Sequence, residues 1–125
     1  MTRAIVLFAH GARDLRWAEP FEAVADRVRA GAPGCQVALA FLELMAPSLA
    51  EAAAGLVAAG ATRIDVVPLF LGTGGHLRRD LPPLVEALRA AHRGVDIHLH
   101  AAIGEHAVVV EAMAAAAVAA AGFSE

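Results

Sequence analysis

Four times along this chain a short apolar run gives way to a longer stretch in which apolar residues recur at helical spacing. That alternation constrains the fold more than any other feature. The runs are residues 4–9, 36–41, 64–71 and 95–101. They read as strands covered on both faces, as the strands of a parallel sheet are. Between them Phe21, Val24, Ala25 and Val28 recur at helical spacing, as do Leu49, Ala53, Leu56 and Val57, and then Leu84, Val85 and Leu88. Pro20, Pro47 and Pro82 mark the starts of these helices, where a missing N–H costs little. Gly31, Gly60, Gly94 and Gly122 stand where helices end in a left-handed residue. Strand–helix alternation requires right-handed crossovers. The expectation is therefore an α/β fold: one four-stranded parallel sheet with helices on both faces, a flavodoxin-like unit forming a single domain over residues 1–125.

Composition narrows what such a unit can do. Hydrophobic residues make up 58% of the 125 and charged residues 18%, which excludes a disordered chain. A net charge of −3 argues against a nucleic-acid partner. All ten basic residues are Arg, the side chain that grips carboxylates with two parallel hydrogen bonds. The single Cys35 can make neither an internal disulfide nor a zinc cage. The opening run 4–9 is too short for a signal-peptide core, and the alanine-rich run 112–121 is far short of the roughly 20 residues of a membrane helix. A cytoplasmic protein with no membrane partner is expected.

In parallel sheets, ligands bind beyond the carboxyl ends of the strands. After the first run comes His10-Gly11-Ala12-Arg13-Asp14-Leu15, after the second Glu43, and after the third Gly72 to Leu81. The pattern His-x-x-Arg-Asp-Leu occurs at 10–15 and again at 76–81, and Glu43 lies 33 residues from each histidine. Placing His10 and His76 on adjacent strands gives the order 2-1-3-4. Two imidazoles and a carboxylate at one edge suit a divalent transition metal with open coordination positions. On a plainer reading Asp14 and Asp80 cap helices while the histidines fill turns. Gly72-Thr73-Gly74-Gly75 resembles a phosphate-cradling nest but lacks the Lys-Ser/Thr of a P-loop. His98 and His100 share a face of the fourth strand and read as a partly exposed edge. His92 reads as a solvated residue at a helix end, His106 as a helix cap, and Trp17 as core bordering a cleft.

These residues carry a family resemblance. His10-Gly-Ala-Arg13, Phe41-Leu-Glu43 with Pro47-Ser48, and Pro68-Leu-Phe-Leu-Gly-Thr-Gly-Gly-His76 with Arg79-Asp80-Leu-Pro82 resemble the small class II tetrapyrrole chelatases. Those are the sirohydrochlorin cobaltochelatases and ferrochelatases of cobalamin and sirohaem synthesis. The resemblance implies insertion of Co2+ or Fe2+, with Ni2+ also acceptable, into sirohydrochlorin, and no organic cofactor. His10 and His76 match the metal-binding histidines, His10 the proton acceptor as well, and Glu43 the acid completing the site. Leu71, Gly72, Thr73, Gly74 and Gly75 match the segment touching the macrocycle, and Arg13 and Arg79 suit its carboxylates. Ala12 stands where the family often has Ser, and Ala46 where small members often carry an acid. The short form looks like half of the two-domain chelatases and implies a homodimer, with the apolar stretch 108–121 packing against the sheet or a partner. The alternative is a non-catalytic divalent-metal carrier or a flavodoxin-like phosphate binder.

Overall fold

The fold was analysed in a computed structural model, which describes residues 2–72 and 74–123, with His76 described by its backbone alone. Four strands, β1 (Arg3–Ala9), β2 (Gln36–Phe41), β3 (Arg63–Pro68) and β4 (Asp96–Leu99), form one parallel sheet in the order β2-β1-β3-β4. β1 is central, pairing Val6 with Ala38 on one side and with Val66 on the other. Four helices connect or follow them: α1 (Glu19–Gly31), α2 (Leu49–Ala58), α3 (Gly75–Ala91) and α4 (Ala107–Ala120). The expected order and parallel pairing are both present.

Alternation along the strands decides which side faces which helix. Ala4, Val6, Phe8, Ala40, Ile64, Val66 and Ile97 point to one side, where Ala53 and Leu56 of α2 and Leu81, Val85 and Leu88 of α3 bury them. The other side is closed only in part. There α1 lies against β2, and a smaller cluster of Ala9, Ala18 and Phe41 is backed by Trp17 and Phe21. The opposite half of that side, over β3 and β4, carries Arg63, Asp65, His98 and His100 in place of a covering helix.

Several boundaries differ from expectation, each for a physical reason. The third strand ends at Pro68 rather than residue 71, and the fourth is confined to Asp96–Leu99. α3 begins at Gly75, seven residues before Pro82, so Pro82 and Pro83 are interior to the helix. Both prolines lie on its exposed side, where water can take the carbonyls they leave unbonded. Asp80 is consequently inside α3 and is no cap, whereas Asp14 does cap the 3-10 turn Leu15–Ala18 through Arg16 N–H at 2.9 Å. Gly60 and Gly122 take the expected positive φ, but α1 and α3 close at Ala32 and His92 with negative φ. Val24 and Leu84 are more exposed than their helical spacing implied. α2 starts with a reciprocal cap: Glu51 N–H donates to Ser48 Oγ, and Ser48 N–H donates to the Glu51 carboxylate. α4 does not pack on the sheet; only Val109 is half-buried and every other residue is exposed. None of the described helices is long and apolar enough to cross a membrane.

Candidate active site

β1 and β2 end side by side, and their following loops are locked together. Leu42 N–H donates to Ala9 C=O at 2.9 Å, and Glu43 N–H to His10 C=O at 3.1 Å. Gly11 has φ +99°, and a Cβ there would stand 1.9 Å from the Glu43 carbonyl oxygen. Only glycine permits so close an approach. The contact brings the two side chains into register: His10 Nε2–H donates to Glu43 Oε1 across 3.2 Å. Both groups remain about half exposed. An ionised carboxylate only accepts, so this bond places the proton on Nε2 and leaves the Nδ1 lone pair available. The Phe70 ring, edge-on at 6.1 Å, backs the imidazole.

The loop after β3 is held in a similar way. Gly104 presses on it so tightly that a Cβ would lie 1.8 Å from the Leu71 carbonyl oxygen. Gly104 N–H donates to Phe70 C=O at 2.9 Å. Leu71 and Gly72 are exposed, Gly74 is the N-cap of α3 and Gly75 its first residue. His76 therefore enters on the first turn of α3, at the same sheet edge as His10. Thr73 and the His76 side chain, both expected at the site, lie outside the described residues. Arg13 and Arg79 are exposed at this edge, and Arg78 lies 3.9 Å from Glu105. Among the described residues no three His, Cys, Asp or Glu side chains converge as a metal cage would. The described site is one imidazole–carboxylate pair with an open approach.

A second such pair escaped the sequence reading. Asp65, on β3, is buried, with hydrogen bonds from Arg63 at 3.0 and 3.2 Å, Arg3 at 3.1 Å and His100 Nε2 at 2.8 Å. Burial pushes its carboxyl up, but the bonds from Arg63, His100 and Arg3 outweigh it and hold Asp65 well below the usual carboxylate range. The available signal was an acid inside an apolar run, which needs a partner. His98 lies 3.0 Å from Asp96, so the face shared with His100 is an ion-paired edge. His106 caps α4, its Nδ1 accepting from Val108 N–H at 3.4 Å. Trp17 packs on Phe21 and Phe41.

Fold and site define a class: a four-stranded parallel α/β unit that presents an imidazole–carboxylate pair and a glycine-rich helix entrance at one sheet edge. The chain belongs to the CbiX family, whose model matches residues 4–120. A sirohydrochlorin cobaltochelatase from Saccharolobus solfataricus is 51% identical over 49 residues, 39% of this chain and 38% of that one. Another from Methanopyrus kandleri is 34% identical over 66% of this chain and 57% of its own length. Each match spans less than two thirds of the curated relative. Among solved structures, a cobalamin-biosynthesis CbiX protein from Marinobacter aquaeolei superposes with a TM-score of 0.85 at 36% identity, covering 98% of this chain and 99% of that one. SirB from Bacillus subtilis with Fe3+ gives 0.79 at 30% identity, covering 92% of this chain but 46% of SirB.

Proposed function

We propose that this chain is a cytoplasmic enzyme that inserts a divalent transition metal, Co2+ or Fe2+, into sirohydrochlorin. The observation that carries this reading is the His10–Glu43 pair at the sheet edge of a CbiX-family chain. Insertion exchanges the two pyrrole N–H protons of the macrocycle for one metal ion and releases two protons. Nδ1 of His10 can hold the incoming ion and then, as the ion leaves, accept a proton. A neutral imidazole, which can both ligate an ion and take up a proton, suits both tasks. Glu43 steadies the imidazole through Nε2–H and offers that proton an exit, so it acts as orienter and relay. His76, entering from α3, supplies the second metal ligand. An ion held by few ligands is readily passed on, whereas a closed thiolate cage would retain it. Arg13 and Arg79 meet the carboxylates at the substrate's rim, and the segment from Leu71 to Gly75 lies along the ring.

The test is an anaerobic assay with sirohydrochlorin and Co2+, Fe2+ or Ni2+ in turn, followed by absorbance. Metal-dependent conversion at catalytic protein concentration is expected. Tight metal binding with no conversion would instead identify a carrier.

The working form is a homodimer. α4 leaves Val108, Val110, Met113 and Val118 in water, and such a helix is poorly soluble alone. With Val109 it walls an apolar cavity of about 450 Å3 against Phe21, Val24, Leu69, Leu71 and Ile103. The chain aligns to less than half of SirB, so a protein of that length has room for two such units. Light scattering is expected to give twice 12.8 kDa for the wild type and a monomer for Val110→Asp/Val118→Asp. A wild-type monomer with full activity would refute the dimer.

A further inference from the structure

Each of the three loops nearest the His10–Glu43 pair carries one large apolar side chain in water. These are Leu15 after β1, Leu44 after β2 and Leu71 after β3, with 77%, 58% and 66% exposure. Leu44 is the most unusual of them. Its φ is +65°, the one positive value among the described non-glycine residues, and Met45 N–H donates to Glu43 C=O at 2.8 Å across it. A positive-φ turn closed over two residues is a γ-turn of the rare, strained kind. For a γ-branched side chain the left-handed region is costly, and such outliers persist at sites where the conformation is used. The strained residue directly follows Glu43, the partner of His10, and holds an apolar group out in water.

We propose that Leu44, with Leu15 on the loop after β1 as its counterpart, is a substrate-contact residue that seats the flat apolar face of the macrocycle over the His10–Glu43 pair. This rests on the chelatase reading above and deepens it. The occupant's chemistry follows from its surroundings. Exposed leucines stand on the loops at the sheet edge that carries the pair, and the exposed guanidinium groups of Arg13 and Arg79 stand at the same edge. A planar ring with carboxylates around its rim complements both, whereas a hydrated metal ion alone has no use for the leucines.

Leu44→Asn separates side chain from backbone, because Asn tolerates positive φ and keeps the turn while removing the apolar contact. Its KM for sirohydrochlorin is expected to rise about tenfold, the scale of one lost leucine contact, with Co2+ saturation and oligomeric mass unchanged. Leu44→Gly should match it in KM without losing thermal stability, and Leu44→Met should keep a near-wild-type KM. An unchanged KM in Leu44→Asn overturns the proposal, as does a KM change that appears only with loss of the dimer. Those outcomes leave the chelatase reading standing if the wild type turns over. A wild type that binds Co2+ yet neither binds nor converts sirohydrochlorin overturns both.

Discussion

Two of the imidazole–carboxylate pairs among the described residues are built from nearly the same parts. His10 meets Glu43 at 3.2 Å and His100 meets Asp65 at 2.8 Å, each histidine directly following the carboxyl end of a strand. Their surroundings are opposite. Glu43 is 55% exposed, while Asp65 is 7% exposed and braced by Arg3 and Arg63. A carboxylate held by four hydrogen bonds from three groups has no capacity left for chemistry and serves instead to knit β1, β3 and β4 together. A carboxylate with water on one side and one imidazole on the other can still exchange protons. The pairing is common to both, and the number of competing partners separates their roles.

If that contrast holds, breaking the first pair should cost turnover and breaking the second should cost stability. The largest effect is expected for His10→Ala, with insertion falling by about two to four powers of ten, the worth of a positioned acid–base group. Its melting temperature should stay near that of the wild type, because the side chain is half exposed. A folded His10→Ala that inserts metal at the wild-type rate would dissolve the distinction. Next comes Asp65→Ala, which leaves Arg3 and Arg63 on this face without their shared carboxylate. A loss of about 1–3 kcal/mol in denaturant unfolding is expected, because the partly exposed arginines keep some of their hydration, with turnover per folded molecule nearly unchanged.

The smallest effect is on acid stability. The Asp65 carboxyl is held below its ordinary value in the folded state, so its contribution is complete above about pH 4, the unfolded value. It declines as pH falls further, because only the unfolded chain then takes up the proton. Melting curves of wild type and Asp65→Asn should therefore run parallel from pH 7 to about 5 and draw together below 4. A gap that widened on acidification would mean Asp65 is not the stabilising carboxylate.

Much of this architecture was legible in the sequence because strand burial is written in uninterrupted apolar runs. β2 begins and ends where its run does, and the order follows from placing His10 and His76 side by side. The His10–Glu43 meeting was legible as a shared edge, although its tautomer required coordinates. Asp65 was hidden because one acid does not break the apolar character of its run, and the arginines that satisfy it come from neighbouring strand positions. The start of α3 was hidden by Pro82, which read as a helix opener and is instead, with Pro83, tolerated on the exposed side. Leu44 carries no sequence mark, since a positive φ at leucine arises from the loop closing around it.

The Gly11 and Gly104 contacts have a consequence for how this scaffold tolerates inheritance. A methyl group at either position would overlap a backbone carbonyl of the next loop, so variation there is closed to every other amino acid unless a whole loop moves. The side chains of Leu15, Leu44 and Leu71 face open water and meet no such overlap, although the positive φ at Leu44 still favours Gly or Asn there. A laboratory library can therefore vary these three exposed side chains while the two glycines hold the edge of the sheet in place.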